Sequence, residues 1–228
     1  WATVISHILS LLMRAAVLRA KNYMPPLLGF LRFRTFYYRK IVRIGLPNAA
    51  TSWVWSIVYP FLTRLITPFG MTPLSAVGIC HRLESFPYFT AVAFGIAMTS
   101  LTGFSIGRRE PEKIDQILGA GLRVATIITI PFLVLFLAFP HQLVGLLTDD
   151  QMLIAHGADY LFIIALLEVF MSWEMVIGGV FTGLGITYPT LFVTIPFTVG
   201  RIPAAWFLAY YLEMGVTGIW WAISLSSL

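Results

Sequence analysis

Charge is scarce in this sequence. Only 11% of its 228 residues are Asp, Glu, Lys or Arg, against 58% hydrophobic, whereas a soluble domain carries about 25% charged residues. So few charges cannot cover a water-facing surface, which excludes a disordered chain, a collagen-like chain and an ordinary cytosolic enzyme. Cysteine is rarer still: Cys80 is alone, so neither an intrachain disulfide nor a thiolate metal site can form. His141 and His156 lack ligand-like spacing, and no metal site is expected. There is no Walker loop, no HExxH and no GxSxG, so the chain is not expected to be an enzyme. No basic stretch precedes the first apolar run, WATVISHILSLLM, which therefore does not read as a signal peptide. It reads as the end of a helix whose beginning is missing, and GIWWAISLSSL at the other end also stops inside an apolar run.

Long uncharged runs are what the sequence has in quantity. Residues 44–63, 85–107, 124–148 and 175–200 give runs of 20, 23, 25 and 26 residues. About 20 apolar residues cross a bilayer as a helix, and a charge inside hydrocarbon is the costly event that bounds each run. Two further apolar stretches, 158–171 and 215–228, extend or begin other helices. Breakers set the limits: Pro68 and Pro73 flank Gly70, Pro111 follows GRRE, Pro140 precedes a polar stretch, and Tyr188-Pro189 follows two glycines. The expected fold is all-α, a polytopic membrane bundle. It has a truncated helix at 1–18, a basic linker at 19–40 and a six-helix lobe at 41–228. The spans of that lobe fall at 41–66, 74–106, 112–138, 152–184, 188–211 and 215–228, the last truncated. Strands are not expected, because the runs do not alternate and far exceed the roughly 10 residues of a barrel strand.

Lys and Arg set the orientation. Arg14, Arg19, Lys21, Arg32, Arg34, Arg39, Lys40 and Arg43 crowd the first connector without one acid among them, and IGRREPEKID adds Arg108, Arg109 and Lys113. The loops around Phe69, around Asp149 and Asp150, and around Glu213 have no Lys or Arg. The positive-inside rule then places linker 19–40 and loop 107–113 in the cytoplasm, in a plasma membrane and most simply a bacterial inner membrane. The net charge of +5 is this loop effect, so nucleic acid is not an expected partner. LLGFLRFRTFYYRK mixes rings with cations and suits an amphipathic linker on the inner leaflet.

Ionisable groups inside spans are functional candidates by default. His81, Arg82 and Glu84 fall in the second span of the lobe, Glu168 and Glu174 in the fourth, and Arg201 in the fifth. In a continuous helix over 152–184, Glu168 is at the midpoint, Glu174 lies about 9 Å further on, and the two are about 120° apart around the axis. Carboxyls so placed can take up and release a proton or cation, which makes Glu84, Glu174 and Glu168 the coupling candidates; the alternative for Glu168 or Glu174 is a fixed pair with Arg201. His81, Glu84 and Tyr88 share a face at i, i+3, i+7, with Arg82 and Arg201 as charge partners. In the first span, Ser52, Trp55, Ser56 and Tyr59 also share a face. Hydroxyls and rings there suit a flat organic cation, so Asn48, Ser52, Trp55, Tyr59, Tyr88 and His81 are the substrate-cavity candidates. Pro47, Pro60, Pro131 and Pro196 lie inside spans and are expected to kink them.

One run, AVGICHRLESFPYFTAVAFGIAMTSLTGFSIGRREPEKID, resembles a helix and loop of multidrug and toxic compound extrusion (MATE) transporters. These commonly read Arg-Ile-Glu-Ser, Pro-Ala-Phe-Gly, then a Gly-Gln-Asn turn with a Pro-Glu pair. RIGLPNAA, GGVFTGLGITYPT, RIPAAWFLAYYL and GVTGIWWAIS are similar to four further motifs of that family, in the same order. The resemblance covers essentially all of residues 1–228, laid on the second half of a family member. It implies twelve helices in two lobes related by a pseudo-two-fold axis along the membrane normal, with the substrate cavity between them and an N-terminal lobe missing from this sequence. It also implies secondary active export of organic cations or drugs in exchange for H⁺ or Na⁺ by alternating access, with no cofactor and with the lipid bilayer as surroundings. Trp55 stands where some members carry an acid, Ile186 replaces the aspartate of a Gly-Asp-Thr turn, and Phe104 and Ser105 replace Gln-Asn. Two other readings stay open: a flippase for lipid-linked saccharides, which would call for several unpaired cavity arginines where only Arg82 and Arg201 are candidates, and a non-transporting scaffold or degenerate half-gene.

Overall fold

The computed structural model describes residues 1–21 and 35–226. Most of the expected linker, residues 22–34, lies outside the described residues. The chain divides into two compact units, Trp1–Arg43 and Ile44–Leu228. In the first, α1 (Ala2–Ala20) is long and apolar enough to cross a membrane over Thr3–Ala20.

The remaining helices are α2 (Thr35–Ile66), α3 (Met71–Gly107), α4 (Ile114–Ala138), the short α5 (Pro140–Gly145), α6 (Gln151–Ala165), α7 (Glu168–Leu184), α8 (Tyr188–Trp206, continued by a π turn over Phe207–Tyr211) and α9 (Val216–Leu225). No strand occurs among the described residues. Within the lobe α3, α4 and α8 are long and apolar enough to span, and α6 with α7 passes the same test only as a bent pair, a broken span or a re-entrant loop. The other two expected spans, α2 and α9, do not pass the same length and composition test. Asn48, Thr51, Ser52 and Ser56 dilute the apolar run of α2, and α9 has only 10 residues.

The expected continuous helix over 152–184 is also wrong: α6 and α7 meet at a bend of 50°. Pro47 and Pro60 in α2, Pro131 in α4 and Pro196 in α8 sit inside helices that continue through them. The bend falls at Leu166 and Leu167, where there is neither proline nor glycine. Its cause is tertiary. The Leu167 N–H donates to the Ile164 carbonyl rather than to that of Ile163, and the Ile163 carbonyl accepts instead from the Ser224 hydroxyl of α9 at 3.1 Å. In hydrocarbon every freed carbonyl needs such a partner. Ser224→Ala leaves that buried acceptor unpaired and is expected to lower stability by about 1–3 kcal/mol, read as a fall in the thermal midpoint in detergent; an unchanged midpoint argues that something else holds the bend.

α3 and α7 make the closest helix contact. A Cβ on Gly179 falls on the backbone carbonyl of Gly95, and one on Gly183 comes 2.6 Å from the Thr99 carbonyl. Glycine alone permits this approach, as at the small-residue interfaces of membrane helices. The Thr99 hydroxyl donates across it to the Gly179 carbonyl at 3.0 Å. α7 ends at Gly185, whose φ of +74° places it in the left-handed region. There the N–H of Ile186 reaches the Phe181 carbonyl and that of Gly185 the Thr182 carbonyl, a Schellman turn that returns the chain into α8.

The main core gathers Val58, Leu62 and Ile66 of α2, Val77 and Cys80 of α3, Leu161 and Ile163 of α6, and Ile219 and Trp220 of α9. Tyr160 meets Trp220 edge to face at 5.0 Å. A second core joins α3, α4 and α7 through Met98, Ala125, Val176 and Val180. Much of the outside is apolar, with Phe89, Ile96, Ile127 and Phe192 exposed, which suits hydrocarbon rather than water.

Candidate functional site

Two groups of polar side chains lie inside the lobe. The first is buried around α3, where His81 and Glu84 share a face, as their i, i+3 spacing predicts. From α2 the Tyr59 hydroxyl meets His81 Nδ1 at 3.0 Å. His81 Nε2 is 3.7 Å from Glu84 Oε2, and the same oxygen accepts from the Tyr160 hydroxyl of α6 at 3.3 Å. Glu168 opens α7 immediately after the bend and is near enough to Glu84 to act on it electrostatically. Glu84 Oε1 and both carboxylate oxygens of Glu168 are buried without a hydrogen-bond partner among the described residues. Apart from His81, no basic side chain among the described residues forms an ion pair with either glutamate. Carboxylate oxygens buried without a partner are costly to keep charged.

The second group lines a cavity of about 390 Å³ walled by Trp55, Phe170, Trp173, Phe181 and Phe197, with Glu174, Thr194 and Arg201 among its polar side chains. The Thr194 hydroxyl donates to Glu174 Oε1 at 3.3 Å. The Arg201 guanidinium lies 4.4 Å above the Trp55 ring, its Nε donates to the Ser226 hydroxyl, and it acts electrostatically on Glu174. Trp173 is held in the wall by its indole N–H, which donates to Thr126 of α4 at 2.8 Å. Aromatic faces around one carboxylate are the chemistry that holds an organic cation.

The coupling candidates therefore separate: Glu84 and Glu168 come together, and Glu174 lies in the cavity. The substrate-cavity candidates separate too. Trp55 lines the cavity, whereas Tyr59 and His81 belong to the first group. Asn48 and Ser52 are on the exposed face of α2, where the Ser52 hydroxyl donates to the Asn48 carbonyl. Tyr88 is exposed with its ring against Phe89 and outside both groups. Arg82 is exposed and forms no ion pair among the described residues, whereas Arg201 is buried.

Two features escape a reading of the sequence. Tyr160, the partner of Glu84, is 76 residues away along the chain, and only packing reveals it. Thr190, Thr194, Thr198 and Arg201, all lining the cavity, recur at i, i+4, i+8 and i+11 on one face of α8; that polar stripe in an apolar helix was a legible signal.

A helical lobe with an apolar exterior, buried carboxylates and an aromatic cavity is the architecture of a membrane transporter. The family model described as MatE matches residues 47–207, and the chain belongs to that family of transporters. Similar curated proteins are the probable multidrug resistance protein NorM of Thermotoga maritima, 24% identical over 80% of this chain and 39% of the relative, and the probable multidrug resistance protein YoeA of Bacillus subtilis, 22% identical over 96% of this chain and 49% of the relative. The chain thus spans about half the length, or less, of the curated relatives it matches. Among solved structures it resembles a MOP superfamily transporter from Pyrococcus furiosus, with a TM-score of 0.78, 19% identity and coverage of 82% of this chain and 42% of that one. A MATE in its bent conformation gives a TM-score of 0.79 at 21% identity over 86% and 44%. At such identities the likeness is one of fold.

Proposed function

We propose that the chain contributes the C-terminal lobe of a two-lobe secondary active transporter that exports organic cations in exchange for H⁺ or Na⁺ by alternating access, in a plasma membrane with 19–40 and 107–113 on the cytoplasmic side. One observation carries this reading: Glu84 Oε1 and both carboxylate oxygens of Glu168 are buried without a partner among the described residues, and Glu168 acts electrostatically on Glu84. An intramembrane acid without a permanent cation is the element an ion-coupled transporter requires. Its position at the bend between α6 and α7 supports coupling to movement, since broken helices at a midplane site are how such proteins join ion binding to rocking of one bundle against another.

The cavity beside Glu174 supports a cationic substrate. Arg201 is the single arginine in its lining, and Trp55 and Ser226 already engage it, which supports an organic cation over an anionic lipid-linked saccharide. The test is flux in proteoliposomes of the complete transporter under an imposed H⁺ or Na⁺ gradient, with a fluorescent organic cation. Gradient-driven efflux is expected, and its absence under both gradients overturns the reading. Glu174→Gln is expected to weaken binding of that cation about tenfold, the order of one ionic hydrogen bond, with ion uptake retained.

A further inference from the structure

Glu84 is the buried end of a chain of polar groups whose other end reaches the surface of the lobe. We propose that Tyr59 and His81 form the proton-access path to Glu84, with His81 as the positioning residue that hands the proton over. This rests on the reading of Glu84 as an ion-coupling group, and it adds the route by which the proton arrives.

The route follows from exposure and connectivity. Glu84 Oε1 is buried and has no partner among the described residues, so a proton must reach Oε2. That oxygen has two neighbours. Tyr160 is 1% exposed and packs inward on Trp220, so it leads into the core. His81 leads outward: its side chain is 37% exposed against 16% for Glu84, and Tyr59 beyond it is 44% exposed. The outward end is continuous with the polar strip of α2, where the Ser56 hydroxyl donates to the Ser52 carbonyl and the Thr63 hydroxyl to the Tyr59 carbonyl.

The groups facing His81 are Tyr59 from α2, Glu84 from α3 and Tyr160 from α6, whose ring lies 6.1 Å from the imidazole. One step behind them, Glu168 of α7 acts on Glu84, and Arg201 of α8 interacts electrostatically with Tyr160. Transfer toward Glu84 uses the neutral imidazole with its proton on Nε2, the tautomer in which Nδ1 accepts from the Tyr59 hydroxyl. Transfer then balances. The Nε2–H bond breaks as an O–H bond forms at Glu84 Oε2. Nδ1 takes the Tyr59 hydroxyl proton, and the Tyr59 oxygen takes one from hydronium at the exposed face. The ring ends as the Nδ1–H tautomer, and the reverse transfer restores it: the Glu84 proton returns to Nε2, Nδ1–H gives its proton to the Tyr59 oxygen, and the Tyr59 hydroxyl releases one to water. The 3.7 Å between Nε2 and Oε2 closes with a small swing of the imidazole; catalytic contacts are often this long before the reacting state forms.

The test uses the complete transporter in proteoliposomes, following proton entry with a trapped pH-sensitive dye and substrate affinity with a fluorescent organic cation. His81→Gln is expected to slow proton-coupled turnover about 100-fold, the low end of what a positioned proton donor contributes. Its pH profile should be displaced, its substrate Kd unchanged, and its rate restored by added imidazole. Tyr59→Phe, which keeps the ring at an exposed position, should show a smaller loss in the same direction, and it serves as the test if His81→Gln fails to insert. Wild-type turnover and pH profile in both variants overturn the path, as does a loss that imidazole cannot restore and that comes with weaker substrate binding. Glu84→Gln separates the two levels: if it keeps proton-coupled efflux, the coupling reading falls and the path with it, whereas if it loses coupling while His81→Gln keeps it, only the path falls.

Discussion

Glu84→Gln and Glu168→Gln are each expected to cut ion-driven efflux by about 100-fold, a loss of about 2.7 kcal/mol, while substrate exchange without a gradient persists. Glutamine has the shape of the protonated acid, so each variant is locked in one state of the exchange cycle and loses the step that needs the proton or cation to leave. The double variant should be hardly worse than either single one, because carboxylates that act electrostatically on one another titrate as a coupled pair and their effects do not add. Efflux rates measured across the neutral pH range should rise with an inward proton gradient in the wild type and be flat in all three variants. A double variant whose loss is the product of the two single losses would show the glutamates acting independently. Retained gradient dependence in both single variants would remove Glu84 and Glu168 from coupling altogether.

The largest effect on stability is expected at Gly179. Even the smallest side chain there meets the Gly95 carbonyl of the facing helix, and backbone cannot move aside as a flexible side chain can. Gly179→Ala should destabilise the lobe by about 3 kcal/mol, the upper range for overpacking, and Gly179→Leu should prevent folding. Both are read as the thermal midpoint and the monodisperse fraction in detergent. Gly78→Ala, on an exposed part of α3 with open space around it, is the control and should be neutral or stabilising by less than about 1 kcal/mol. Because Gly179 is in α7 with Glu168 and Glu174, displacing the helix disturbs both polar groups, and transport should fall with stability. A Gly179→Ala protein as stable as Gly78→Ala would mean that α3 and α7 pack elsewhere.

Much of the lobe could be read before any coordinates. Helices appear where uncharged runs of spanning length stand between charges and breakers, because hydrocarbon excludes charge and requires each backbone group to be paired within its own segment. That constraint is local, so α3, α4 and α8 begin and end within a few residues of their expected limits. The intramembrane acids were legible for the same reason, as were the i, i+3 pairing of His81 with Glu84 and the ordered motifs of the MatE family.

Interactions between distant segments were not legible. The prolines of α2, α4 and α8 leave their helices unbroken, whereas the 50° bend falls on two leucines, since what stabilises it is a hydroxyl 61 residues further along the chain. Tyr160 joins Glu84 and Thr194 joins Glu174 by the same kind of long-range packing. Periodicity along one helix tells which residues share a face, but not which face of another helix it meets. The three glutamates of the spans are therefore divided by helix packing: Glu84 and Glu168 interact with one another and Glu174 lines the cavity.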